Sequence, residues 1–229
     1  MEVSRLYVYM FKCLNDKEGF TLIEMLIAMS ILVIMVGAVI TLFIILYREQ
    51  AMDIVRIERI NIASRAIKKI SPEIRKMNRG ENGSYPIKLG KEHILIFYAD
   101  VDNDGETERV IYYLSGTDLA RILTEPTGDP VGYEAIPDPL PNPSDHPETI
   151  VARDVRNGTK PVFKYYDKDH NTGDDTSGFL EGGETEEGVN VTMIRVVEIN
   201  LDINPENNYL TNPFNIKTKI HPRNLKNFK

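Results

Sequence analysis

An uninterrupted apolar segment near the N-terminus constrains this sequence more than any other feature. Residues 25–47 comprise 23 positions without a formally charged side chain. As an α-helix they would extend roughly 34 Å at about 1.5 Å per residue, enough to cross a hydrocarbon core of about 30 Å. A single carboxylate, Glu24, directly precedes the segment, where an unpaired charge is costly to carry into lipid. We therefore expect a transmembrane helix over residues 20–47 with an acidic residue near its start.

The residues in front of the apolar segment form a second and more specific pattern. Residues 17–24 read Lys-Glu-Gly-Phe-Thr-Leu-Ile-Glu. Gly19 lacks a Cβ, so a peptidase can approach the backbone closely at this point. Cleavage after Gly19 would leave the apolar segment attached to the mature protein, whereas an ordinary secretory signal loses its apolar segment.

This pattern resembles the class III signal of type IV prepilins and pseudopilins. In that superfamily a short basic leader ends in Gly and is followed by Phe and by a hydrophobic helix with Glu at the fifth mature position. The resemblance implies cleavage between Gly19 and Phe20 by a prepilin peptidase, with N-methylation of Phe20. It also implies that Glu24 assists subunit assembly by pairing with the N-terminal ammonium of a neighbouring pilin, since a paired buried charge is tolerated better than a stranded one. An ordinary signal anchor with an incidental Glu is the alternative.

The leader, residues 1–19, is long for this class. Initiation at Met10 instead of Met1 would give a compact ten-residue leader, and both starts are open. The only cysteine, Cys13, lies in the leader, so the mature chain would contain no disulfide. Basic residues flank the apolar segment on both sides, and the positive-inside rule does not decide the orientation. The resemblance implies a single pass through the inner membrane, with the head outside the cytoplasm and later incorporated into an extracytoplasmic filament.

Beyond the membrane segment, apolar residues recur at spacings of three and four. The stripe consists of Ile60, Ala63, Ile67, Ile70, Ile74 and Met77. It predicts an amphipathic helical stem over residues 48–79 that packs on a sheet of the same subunit. Ser71-Pro72 could kink this helix or begin a new one. Arg79-Gly80 indicates its end.

The remaining residues, 80–229, predict a globular β-rich head. Strand-forming residues are concentrated at 94–98, 110–114, 119–123, 149–155, 162–166, 192–203 and 216–220. Asn157-Gly158 is a favoured turn pair and predicts a hairpin between the fourth and fifth of these segments. The expected fold class is α+β, with the long N-terminal helix packed on an antiparallel β-sheet.

Two segments of the head predict long surface insertions. Residues 126–147 contain seven of the chain's 13 prolines, which excludes a regular helix or a central strand there. Residues 167–188 are dominated by Gly, Asp, Glu and Thr. Long insertions of this kind are functional or mobile.

One acidic segment has the spacing of a metal-binding loop. Asp100, Asp102, Asp104 and Glu106 alternate with other residues, and a glycine occupies the sixth position, as in the first half of a calcium loop. The twelfth position, Ile111, cannot supply the carboxylate that completes an EF-hand, and the flanking segments predict strands. A calcium site and a solvated acidic hairpin turn are therefore both open. A second and weaker acidic cluster consists of Asp167, Asp169, Asn171, Asp174 and Asp175.

The charge distribution and the histidines limit the function classes. The first 80 residues contain 12 basic and 8 acidic side chains, and residues 81–229 contain 15 and 26. An acidic head is unfavourable for nucleic-acid binding, because phosphate contacts need clustered Lys and Arg. There is no Gly-rich phosphate loop and no nucleophile elbow. Four histidines are scattered without a partner at metal-ligand spacing: His93, His146, His170 and His221. We expect no enzymatic activity.

Parts of the head resemble a narrower branch, the W-type minor pilins and the J-type minor pseudopilins of type II secretion. The matching segments are residues 98–106, 110–113, 163–167 and 222–225. This resemblance implies a low-abundance subunit of a tip complex that helps to initiate a type IV pilus. Two alternatives stay open: a minor pseudopilin of a type II secretion system, and an adhesive or ligand-binding tip protein that uses the proline-rich and acidic loops as its contact surface.

Overall fold

The computed structural model describes residues 19–171, 174, 176–181, 187–204 and 214–227, with the backbone alone at 48–56, 148, 226 and 227. Most of the expected leader, including Met10 and Cys13, lies outside the described residues, as does Asp175. The chain divides into two compact units, Met1–Ala51 and Met52–Lys229.

A single α-helix, α1, covers Leu22–Arg75 and contains 54 residues. Its first part, Leu22–Tyr47, is long and apolar enough to cross a membrane, as the sequence predicts. The described residues bury none of this segment; Ile34, for example, is 73% exposed. A contiguous apolar surface of this size needs lipid or other protein around it.

Within the second unit, one face of α1 is buried. Ala63, Ala66, Ile70 and Ile74 are completely inaccessible to solvent. Their spacing of three and four residues places them on one side of the helix. The predicted stripe is therefore confirmed at three of these positions and at Met77, which is also buried, whereas Ile60, at its N-terminal end, is exposed.

The helix continues through Pro72 and ends at Arg75, before the predicted end at residue 79. After Arg75 the backbone begins to pair with a strand, because the Asn78 N–H donates to the Tyr98 carbonyl at 2.9 Å. This pairing uses backbone groups that a longer helix would need for its own hydrogen bonds.

The head contains two antiparallel sheets. The first has the strand order β1-β2-β3-β4-β5 and the second the order β6-β7-β8. The strands of the first sheet are β1 Ile87–Gly90, β2 Ile94–Ala99, β3 Glu108–Ser115, β4 Asp118–Thr124 and β5 Ile150–Ala152. Those of the second are β6 Phe163–Tyr166, β7 Val196–Ile203 and β8 Phe214–Ile220. The α+β class is confirmed, with two sheets where one was expected.

The hairpin predicted at Asn157-Gly158 is wrong. Strand β5 pairs with β4, and β6 pairs with β7, so the two segments belong to different sheets. The Asn157 side chain is buried and docks the connection onto β7, donating to the Asn200 carbonyl at 2.8 Å and accepting from the Asp202 N–H at 2.9 Å. Asn157 thus bridges two chain segments, and the turn that it opens, where the Lys160 N–H donates to its carbonyl at 3.0 Å, does not close a hairpin.

One hydrophobic core joins the buried face of α1 to both sheets. It includes Ile70 of the helix, Phe97 and Tyr112 of the first sheet, and Val197 and Leu201 of the second. All eight residues of β7 are buried, which explains why this strand does not show the simple alternation of a strand with one solvent face.

The proline-rich insertion covers the other face of the first sheet. Ile136 and Leu140 pack against a smaller cluster that includes Ile111 and Tyr113. The Tyr113 hydroxyl donates to the Pro141 carbonyl at 2.9 Å. Regular structure in the insertion consists of short 3₁₀ turns and a β-bridge between Thr127 and Gly132, with no α-helix or central strand in this described part of the chain, as expected from its prolines. The insertion therefore stabilises the sheet in addition to forming surface.

Candidate functional site

The expected cleavage position lies directly in front of α1. Phe20 is 82% exposed. No described atom lies within 4 Å of the position that a Cβ on Gly19 would occupy. Among the described residues, nothing therefore covers Gly19 and Phe20.

The start of α1 is closed by a reciprocal hydrogen-bond pair between Thr21 and Glu24. Glu24 Oε2 accepts from the Thr21 N–H and from the Thr21 hydroxyl, both at 3.0 Å. The Glu24 N–H in turn points at Thr21 Oγ1, at 3.4 Å. This is a capping box of the form Thr-x-x-Glu, which satisfies amides that a helix start leaves without partners. The sequence signal for this box is the Thr-x-x-Glu spacing directly in front of the apolar run, which the pattern of the cleavage signal overlaps.

Polar side chains inside the apolar segment are satisfied within the helix. The Ser30 hydroxyl donates to the Leu26 carbonyl at 2.8 Å, and the Thr41 hydroxyl donates to the Gly37 carbonyl at 2.9 Å. Because lipid offers no hydrogen-bond partners, this internal bonding suits a helix in a membrane.

Comparison with protein families matches residues 14–40 to the prokaryotic N-terminal methylation motif. The match includes Gly19, Phe20 and Glu24, together with the first part of the apolar helix. The chain carries the class III signal of the type IV pilin and pseudopilin superfamily. Comparison with curated proteins gave no match. The motif of this pilin-like chain ends within α1, so the likeness of its head to W-type and J-type subunits stays a prediction.

The motif implies processing by a prepilin peptidase and assembly with other pilins. Together with the apolar helix, it agrees with anchoring by a single membrane pass. The superfamily is structural rather than catalytic. The particular roles of Gly19, Phe20 and Glu24 stay predictions from the resemblance.

The acidic loop between β2 and β3 gathers four carboxylates, but one of them differs from the predicted set. One carboxylate oxygen from each of Asp100, Asp102, Asp104 and Glu108 lies within 4.8 Å of the other three. Glu106, which the EF-hand spacing had indicated, is not in this group. It precedes the strand pairing, whereas Glu108 is the first residue of β3 and pairs with Ala99.

Glu108 differs from the three aspartates in being completely buried. Its Oε2 accepts from the Val101 N–H at 2.6 Å, and its Oε1 has no hydrogen-bond partner among the described residues. Burial raises the pKa of Glu108; the Val101 hydrogen bond lowers it, and the charges of Glu125 and Asp102 raise it further.

The loop backbone turns sharply between these carboxylates. Asn103 and Gly105 have φ angles of 66° and 96°. The Asn103 N–H donates to Asp100 Oδ1 at 2.6 Å, and the Glu106 N–H donates to Asp104 Oδ1 at 2.8 Å. A left-handed φ at residue 105 favours glycine, which explains its place in the motif.

The weaker acidic cluster does not converge in the same way in the part that the structure describes. Asp167 Oδ1 accepts from the Asp169 N–H at 2.8 Å, and Asp174 Oδ1 accepts from the Thr176 N–H at 2.9 Å. These carboxylates serve local turns. Among the described residues, the β2–β3 loop alone brings three or more potential metal ligands together, and none of these ligands is a histidine.

Proposed function

We propose that this chain is a minor pilin-like subunit of a type IV filament, acting in assembly, initiation or the tip complex. A prepilin peptidase removes its leader after Gly19 on the cytoplasmic side, and Phe20 becomes the methylated N-terminus. The chain waits in the inner membrane with its head outside the cytoplasm, and then enters the filament through its apolar helix.

One observation carries this proposal: the methylation motif is continuous with an apolar helix that no other described part of the chain covers. Cleavage at Gly19 retains that helix in the mature protein. In the membrane, lipid covers Leu22–Tyr47; in a filament, the same surface would pack against equivalent helices of other subunits. A structural role needs no catalytic group.

Glu24 would act as an exchangeable partner at the helix start. In the single chain its charge is held by Thr21, at 3.0 Å from both the backbone N–H and the hydroxyl. A neighbouring subunit's N-terminal ammonium would offer a full positive charge and could take over this carboxylate. The capping box would then keep the Glu24 carboxylate hydrogen-bonded and oriented until the neighbouring subunit arrives.

The proline-rich insertion has a packing role in the head, and this weakens the support that its sequence gives to the adhesive alternative. Ile136 and Leu140 cover the Ile111 and Tyr113 side of the first sheet. Deleting residues 126–147 would expose this apolar cluster, so lost adhesion after deletion would reflect damage to the head. Exposed single substitutions such as Glu134→Ala would separate a contact role from a packing role.

The experiment is recovery of the chain from sheared filaments in cells that express wild type or Glu24→Gln. The Gln variant keeps the shape of the side chain and removes its charge. We expect wild type in filaments at a small fraction of the main subunit, and Glu24→Gln cleaved but retained in the membrane. Glu58→Gln, an exposed position on α1 outside the motif, is the control and should enter filaments normally. Absence of wild type from filaments, or normal entry of Glu24→Gln, would contradict the proposal.

A type II secretion subunit is distinguished in the same cells. Deletion of the gene should abolish surface pili and leave protein secretion unchanged if the filament is a pilus. Loss of secretion with intact pili would assign the chain to a secretion pseudopilus.

A further inference from the structure

We propose that the β2–β3 loop binds one calcium ion through Asp100, Asp102, Asp104 and Glu108. This cation site lies in the head, outside residues 14–40 that match the methylation motif. Glu108 replaces Glu106 of the sequence-based prediction. The inference is independent of the filament that the chain joins.

The oxygen separations fit a calcium ion. Calcium–oxygen bonds are about 2.3–2.6 Å, so ligands on opposite sides of one ion lie about 4.6–5.2 Å apart. One oxygen from each of the four carboxylates lies within 4.8 Å of the others. Magnesium demands near-ideal octahedral geometry and usually keeps several waters, so a group of four carboxylates suits calcium better. Four carboxylates and no nitrogen or sulfur ligand also match a hard cation.

Glu108 is the second observation that points to a ligand. The residue is completely buried, and its Oε1 lacks a hydrogen-bond partner among the described residues. Its Oε2 is fixed by the Val101 N–H at 2.6 Å, so the carboxylate cannot turn away freely. A buried carboxylate oxygen without a partner is destabilising, and a cation shared with the three aspartates would remove that defect.

The loop concentrates carboxylates. Lys76 reaches the loop, and its ammonium donates to the Val101 carbonyl at 3.1 Å and to Asn103 Oδ1 at 2.8 Å. Both acceptors are neutral. On the other side, Glu125 adds a further carboxyl group within reach of the charges of Asp102, Asp104 and Glu106. The loop therefore has an excess of negative charge that a divalent cation would neutralise.

Calcium at this position would join the loop to the start of β3. Asp100, Asp102 and Asp104 lie in the loop, whereas Glu108 is fixed in the sheet opposite Ala99. The ion would thus stiffen the loop in a mature head that contains no cysteine. A solvent-facing site of this type is suited to the calcium concentrations found outside cells, where dissociation constants of about 10⁻⁴–10⁻³ M are typical.

The test uses the mature full chain in detergent, with calcium binding measured by isothermal titration and melting followed in calcium or chelator. Three variants are compared: Glu108→Gln, Asp102→Asn and the matched control Glu106→Gln. We expect calcium to raise the melting temperature of wild type more than the same concentration of magnesium does. Glu108→Gln and Asp102→Asn should bind calcium at least tenfold more weakly, and Glu106→Gln should bind it within about twofold of wild type.

Several results would overturn the site. These are an unchanged wild-type melting temperature in calcium, an equal shift in magnesium, and equal losses in Glu106→Gln and Asp102→Asn. The last two results would indicate that cations screen the negative charge of the acidic loop in general and do not bind at a specific site. If Glu108→Gln fails to fold, the exposed Asp102→Asn and Glu106→Gln pair decides the question, since neither residue is part of the core.

Discussion

The Tyr112 hydroxyl on β3 donates a 2.6 Å hydrogen bond to Glu73 Oε2 on α1. The same oxygen accepts from Arg121 Nε on β4 at 3.0 Å. Burial, and after it the Glu73 charge, raises the pKa of the Tyr112 hydroxyl well above 10, so the hydroxyl remains protonated and can donate. One carboxylate thereby ties the helix to two strands of the first sheet.

Tyr112→Phe should destabilise the head by about 1.5–3 kcal/mol, because it removes a hydrogen bond to a charged acceptor and leaves the ring in place. Urea unfolding of the mature chain in detergent measures this change. Glu58→Gln, at an exposed position of the same helix, should stay within about 0.5 kcal/mol of wild type. A Tyr112→Phe variant as stable as Glu58→Gln would show that the bond contributes nothing to the folded state.

Asn157→Ala should be similarly destabilising, by about 2–3 kcal/mol, because it removes partners from buried backbone groups of Asn200 and Asp202. Hydrogen exchange should increase at the connection between β5 and β6. The control is Asn142→Ala, where an exposed side chain accepts from the Ser144 N–H in a 3₁₀ turn and should contribute about 1 kcal/mol or less. Equal stability of the two variants would refute the docking role of Asn157.

The stability of the chain in chelator should depend on pH through Glu108. Its pKa is raised above the ordinary 4.5 in the folded protein, chiefly by burial and also by Glu125 and Asp102, against the opposing Val101 hydrogen bond. At pH values between the pKa of Glu108 in the unfolded chain and its higher pKa in the folded protein, the unfolded chain binds fewer protons than the folded one. The free energy of unfolding therefore falls as pH rises through that window.

Wild type should therefore lose stability relative to Glu108→Gln as the pH rises from 4.5 towards neutrality, because the Gln side chain cannot ionise. Melting curves of both proteins in chelator across this range measure the difference. Saturating calcium should reverse the trend for wild type, since the ion binds the ionised carboxylate. A difference between the two proteins that does not change with pH would contradict this assignment.

Local patterns in the sequence predict the helix and most strands, because helix and strand periodicity depend on neighbouring residues. The apolar length of residues 25–47 and the β-branched runs at 94–98 and 110–114 are patterns of this kind. The division into two sheets is not local. Asn157-Gly158 has the composition of a turn, but the Asn side chain bonds to β7, which follows about 40 residues later in the chain, and this long-range contact determines the connection.

In the acidic loop, too, the sequence pattern alone does not identify every carboxylate of the cluster. Spacing alone indicates Glu106, because an EF-hand supplies ligands at fixed positions along a loop between helices. Here the loop closes a β-hairpin, and pairing with Ala99 makes Glu108 the first strand residue beside the loop. Strand register therefore selects the fourth carboxylate, and register is not readable from the acidic motif itself.

The most direct measurement is the N-terminal mass of the chain from cells with and without an active prepilin peptidase. We predict a mature chain that begins with N-methylated Phe20, found only when the peptidase is active. A Gly19→Val variant, whose branched side chain obstructs approach to the backbone, should keep its leader. An intact leader on wild type, or cleavage at another position, would contradict the proposed pilin-like processing and leave the Glu24 assembly role without support.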